Sequence, residues 1–149
     1  MNYLLKPEEQ ECVKLVAYLE KLKKDGQIAV FTHTANETYT KSWKQKNRNK
    51  AMGVRPGIPD YIIVTKTYVL FIEMKREKGG VVSIDQKKWI SSLNEKVSQA
   101  VVCRGFEQAK KVIGDYIEIE ERINQLKPAG DIPKFMLSEP VQSILEEDL

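Results

Sequence analysis

The stretch Gly57-Ile58-Pro59-Asp60-Tyr61-Ile62-Ile63-Val64-Thr65-Lys66-Thr67-Tyr68-Val69-Leu70-Phe71-Ile72-Glu73-Met74-Lys75 decides how this chain folds. Its two runs of β-branched and aromatic residues, 61–64 and 68–75, are split by Thr65-Lys66-Thr67, which predicts two antiparallel strands at the centre of a sheet. Side chains alternate along a strand, so Phe71, Glu73 and Lys75 share one face while Leu70, Ile72 and Met74 share the other. Asp60 starts the first strand, and antiparallel pairing through a short turn brings it near the Glu73 and Lys75 end of the second. Two carboxylates and one ammonium group then converge.

Working outward, Cys12, Leu15, Val16, Leu19 and Leu22 recur at three- and four-residue intervals and predict an amphipathic helix from Pro7 to Lys24, ended by Gly26. Ile28-Ala29-Val30-Phe31 has the length and flanks of a buried strand. The polar connection from Thr32 to Pro59 is long enough to suggest contact with substrate. Past Gly79-Gly80, Ser83 can cap a helix through Trp89, Ile90 and Leu93, followed by the strand Ala100-Val101-Val102-Cys103 and a helix from Phe106 to Ile113. The expected order is αβββαβα, an α/β fold with a mixed sheet, because a helical crossover between strands covers the sheet faces. Beyond Asp115 the pattern weakens into a tail in which Tyr116-Ile117-Glu118-Ile119 could form a strand and Pro128, Pro133 and Pro140 interrupt the remaining residues.

The 149 residues suit one domain, and no apolar run approaches the roughly 20 residues of a membrane-spanning helix. The early acidic residues of the N-terminus do not resemble a secretory signal, so a cytoplasmic location is expected. Cys12 and Cys103 lack the paired spacing of a zinc or dithiol site and read as buried free thiols. Net charge is only +3, but it is unevenly distributed: 41–88 holds twelve Lys or Arg against four acids, whereas 115–149 holds nine acids against three basic residues. A basic middle around isolated carboxylates suits a polyanion, since bound cations release counterions from phosphates; a solvated lysine-rich surface is the alternative.

Opposite charges at the end of an apolar strand cost desolvation unless they pair or hold a metal. Magnesium takes oxygen ligands and keeps several waters, so two carboxylates with room for water would serve it. A neighbouring lysine can orient the attacking water or lower its pKa. Taken alone, Glu73-x-Lys75 equally describes a strand salt bridge, with Asp60 capping a turn.

The set Gly57-Ile58-Pro59-Asp60, Glu73-Met74-Lys75, Gly79-Gly80, Ser83, Gln86 and Trp89 resembles the virus-type replication-repair nuclease (VRR-NUC) family of the PD-(D/E)xK superfamily. The likeness runs from about Pro7 to about Ile113 and includes Phe31-Thr32-His33, Asn36 and Met52-Gly53-Val54-Arg55. It implies a restriction-endonuclease-like core in a nuclease domain over 1–114, with an acidic extension over 115–149. It further implies a hydrolase cleaving DNA with magnesium, manganese being able to substitute. Asp60, Glu73 and the Met74 backbone carbonyl would hold the metal, and Lys75 would be the catalytic lysine. Phage members resemble standalone homodimers, which points to replication, recombination or repair on branched, junction or flap DNA. A catalytically inactive DNA-binding module of the same fold is the alternative, and a phosphodiesterase acting on RNA is a third reading.

The family also implies a glutamate on the first helix, where Glu8, Glu9 and Glu11 crowd one turn. We take Glu8, one turn before Cys12, although the chain departs from the family in having Cys12 where a glutamine often occurs; all three acids also suit a helix N-terminus. Gln86 has two compatible readings, a site residue and the partner of Ser83 in a capping box. His33 and Asn36 are candidates for phosphate contact, His33 equally a polar residue at a strand end. Lys46, Arg48, Lys50, Arg55 and Lys78 are candidate nucleic-acid contacts, with Trp43 able to stack on a distorted base. Trp89 and Tyr18 read as packing.

Overall fold

In the computed structural model, residues 5–34, 42–95 and 99–126 are described. The elements are α1 (Pro7–Lys24), β1 (Ile28–His33), α2 (Trp43–Ala51), β2 (Tyr61–Thr65), β3 (Val69–Lys75), α3 (Ile84–Asn94), β4 (Gln99–Arg104) and α4 (Gly105–Leu126). The strands form one sheet in the order β1-β2-β3-β4, the first two pairings antiparallel and β3 to β4 parallel. Helix α3 makes the crossover that a parallel pair requires. The α/β class and the mixed sheet with β2 and β3 at its centre are as expected.

One sheet face carries the core. Tyr61, Ile63, Leu70, Ile72, Met74, Val101 and Cys103 pack under Leu15, Leu19 and Leu22 of α1 and Ala109, Val112, Ile113, Tyr116 and Ile117 of α4. Glu73 alternates away from this core, and Gln86 of α3 reaches it there, so α3 lies on the opposite face. Cys103 is buried and Cys12 half-buried, and the two are not joined in a disulfide.

Three expectations are corrected. The connection over 32–59 contains helix α2, so the order becomes αβαββαβα; α2 carries no acid and buries no side chain, leaving no apolar period to read. Ser42 caps it by accepting from the Gln45 amide. Strand β1 lies at the sheet edge with only Ile28 buried, in place of the buried strand expected. Residues 116–119 are helical: α4 runs unbroken across 114 and 115, with Tyr116 and Ile117 in the core and buried Glu120 accepting from Thr65 Oγ1 and, at 2.7 Å, from the Thr67 amide. Among the described residues, no helix is long and apolar enough to cross a membrane.

Candidate active site

The β2 and β3 register pairs Tyr61 with Ile72, so one further step sets Asp60 opposite Glu73. Asp60 is fixed from both sides. Its Oδ2 accepts from the Met74 amide at 2.7 Å, and its carbonyl accepts from the Thr34 amide at 2.8 Å. Thr34 Oγ1 also donates to the Pro59 carbonyl at 2.9 Å, tying the segment to the end of β1.

Glu73 is 1% exposed. Its Oε1 accepts from Lys75 Nζ at 2.7 Å and from the Gln86 side-chain amide, while buried Oε2 has no hydrogen-bond partner among the described residues. Burial first, and then the Asp60 charge, pushes the Glu73 carboxyl up to about 7 against the lowering effect of Lys75. Burial likewise raises Asp60, opposed by the Met74 amide and the charges of Lys75 and His33. A buried carboxylate oxygen left unsatisfied costs about 1–3 kcal/mol, a cost that a cation there would remove. Among the described residues, no group of three or more His, Cys, Asp or Glu converges as a ready-made cage. Magnesium does not need one, because it commonly takes one or two carboxylates and keeps its waters. The donors at hand fit it.

The glutamates of α1 separate cleanly. Glu9 Oε2 accepts from the Lys6 amide at 2.6 Å, closing a cap on the helix's own N-terminus. Glu11 accepts from Lys14 Nζ at 2.5 Å and from the Phe106 amide at 2.7 Å, which caps α4; these bonds hold its carboxyl below the usual range. Glu8 lines a cavity of about 430 Å³ with Lys6, Lys75, Arg76, Gly79 and Gly80, and its charge helps raise Glu73. The structure therefore brings Glu8, Asp60, Glu73, Lys75 and Gln86 together.

Gln86 makes two contacts at once. Its Oε1 accepts from the Ser83 amide at 2.8 Å while its amide group donates to Glu73. The helix that carries it is seated on Gly57, which the sequence showed only as the first residue of the Gly57-Ile58-Pro59-Asp60 motif. Gly57 has φ +88°, and a Cβ there would lie 2.5 Å from the Asp85 backbone carbon. Trp89 adds to this seat, its indole N–H donating to the Pro56 carbonyl at 2.9 Å. Gly80 is similarly close to Lys75, with a Cβ position 3.0 Å from that side chain's Cβ.

His33, exposed on β1, stacks edge-on with Tyr61 at 5.0 Å between ring centroids, close enough for its charge to act on Asp60. Lys46, Lys50 and Arg55 line a separate cavity of about 440 Å³ beside α2, and Arg48 is exposed on the same helix. Lys78 is exposed in the turn after β3. Asn36 lies outside the described residues. Lys6, which precedes α1, and Arg76, which follows β3, were not singled out in the sequence and line the same cavity; only the packing of α1 beside the end of β3 brings them together.

The VRR-NUC domain model matches residues 5–107. A solved structure described as a VRR_NUC domain protein superposes with a TM-score of 0.61 at 24% identity, covering 76% of this chain and 90% of that one, which supports the fold. No curated protein matches. The matched span holds β1 to β4 and all five converging side chains, and on that match the chain belongs to the VRR-NUC domain family, a family of nuclease-type, DNA-processing domains.

Proposed function

We propose that this protein is a magnesium-dependent endonuclease that hydrolyses DNA phosphodiester bonds at branched, junction or flap structures. The observation that carries the reading is buried Glu73, on the strand paired with the one that Asp60 begins, with one oxygen held by Lys75 and Gln86 and the other without a hydrogen-bond partner among the described residues. Asp60, Glu73 and the Met74 carbonyl would hold magnesium, or manganese in its place, which supplies charge to polarise the phosphoryl group and stabilise the leaving oxygen. Lys75 orients the attacking water with its ammonium group. Gln86 keeps the Glu73 carboxylate aimed into the site, and Glu8 closes the cavity on the helix side. Exposed Lys46, Arg48, Lys50, Arg55 and Lys78 bind backbone phosphates, His33 and Asn36 contact the strand near the site, and Trp43, 77% exposed, stacks on a displaced base.

In this reading the protein is a homodimer that works in phage replication, recombination or repair inside the host cytoplasm, because a symmetric pair addresses two strands of a branched substrate. In the same reading the catalytic groups belong to a nuclease domain over 1–114 that is followed by an acidic stretch over 115–149. Asp60→Ala and Lys75→Ala should each abolish cleavage in magnesium while the chain still folds; undiminished cleavage refutes the assignment. A panel of single-stranded, duplex, flap and four-way DNAs, with RNA as competitor and a chelator control, defines the substrate. If no DNA is cut in magnesium or manganese, the chain is a DNA-binding module. Light scattering that shows a monomer counts against the dimer.

A further inference from the structure

Two large apolar side chains stand in solvent at the N-terminal end of α3: Val81 is 82% exposed and Ile84 is 73% exposed. Single exposed apolar residues are ordinary on a protein surface. These two differ in what borders them. Val81 lines the cavity that holds Lys75 and Glu8, together with Lys6 and Arg76. Ile84 lines a separate cavity of about 360 Å³ with Lys87, Lys88, Ser91 and Ser92. An apolar ridge therefore stands between two basic hollows, one of which contains the candidate catalytic lysine.

The ridge is held in place. Arg76 donates to the Gly79 carbonyl and Arg104 to the Gly80 carbonyl, each at 2.9 Å. Ser83 and Gln86 form a capping box that fixes the first turn of α3, where Ile84 sits. Close packing of Gly80 on Lys75 fixes the base of the loop against the site.

We propose that Val81 and Ile84 receive the unstacked bases at the branch point of a DNA substrate, with the phosphates of its two arms seated against Lys6 and Arg76 on one side and Lys87 and Lys88 on the other. Apolar side chains that enter a base step must first unstack it, which costs a few kcal/mol in continuous duplex and least where stacking is already broken. A ridge beside the site therefore favours branched over continuous DNA without reading sequence. The proposal rests on the nuclease reading of Asp60, Glu73 and Lys75, but its test does not require cleavage.

The full chain is titrated, with chelator present, into flap and duplex DNAs carrying 2-aminopurine at the branch step or its duplex equivalent. Fluorescence should rise on the flap for the parent chain and stay flat for the Val81→Ser, Ile84→Ser double variant, whose flap-over-duplex binding preference should fall by about tenfold. Both residues are exposed, so the double variant should melt like the parent chain. A double variant that retains the fluorescence rise and the preference overturns the ridge, as does a parent chain that shows neither. A parent chain that unstacks the flap but cuts no DNA in magnesium supports the ridge and overturns the catalytic reading alone.

Discussion

Glu8, Glu9 and Glu11 have the same chemistry within one turn of helix, and only their partners tell them apart. Glu11 holds the first turn of α4, so Glu11→Ala should lose about 0.5–2 kcal/mol as a lost cap and lower the melting temperature by several degrees, leaving cleavage below that temperature unchanged. Glu8→Ala should do the reverse, with melting unchanged and cleavage down by about a hundredfold or more. Melting curves and initial rates on the two variants, if they show the opposite pattern, move the helix glutamate to Glu11. Gln86 divides in the same way. Gln86→Glu keeps an acceptor for the Ser83 amide but removes the donor to Glu73 and adds a like charge beside it. It should keep the α3 cap and lose about a hundredfold in cleavage rate, whereas Gln86→Ala should lose the cap as well, about 1 kcal/mol in urea unfolding.

At the scale of elements, the site depends on how α3 is seated. The Gly57 backbone lies in the left-handed region and its missing Cβ is what lets α3 approach. Gly57→Ala should cost about 1–3 kcal/mol from the backbone alone, with more from the contact with Asp85, and should reduce cleavage by displacing Gln86 from Glu73. Chemical denaturation and rates on the same preparation check this; an unchanged midpoint with full activity would show that α3 is not seated there. The central strands and this helix were legible in the sequence because their apolar periods and capping residues are local signals. Helix α2 was not, since none of its side chains is buried and it has no apolar face to betray its period. The extension of α4 past Ile113 was missed because Tyr116-Ile117-Glu118-Ile119 alternates like a strand, while the contacts of Tyr116, Ile117 and Glu120 with the core and the β2 to β3 turn settle the helix.

For the whole molecule, charge is arranged rather than summed. Exposed cations lie on α2 and the loops, whereas Glu73 of the site is buried and Asp60 half-buried, so most of the binding energy should be electrostatic and sensitive to salt. Replacing Lys46, Arg48 and Lys50 together by alanine should reduce the slope of log affinity against log salt by roughly 2–3 on every DNA structure, measured by fluorescence anisotropy with chelator present. An unchanged slope would remove α2 from the binding surface. The loss should be similar for flap and duplex DNA, because phosphate contacts position a substrate and do not choose it.

The sequence by itself determined the central strand pair, the alternation that puts Glu73 and Lys75 on one face, and the nearness of Asp60, because period and short-range pairing are properties of neighbouring residues. The tertiary structure alone decided which helix glutamate faces the cavity, that Gln86 serves a helix cap and Glu73 at once, and that Gly57 is the seat of α3. Those outcomes depend on which distant backbone comes within hydrogen-bond reach, a quantity fixed by packing across the sheet and carried by no local pattern.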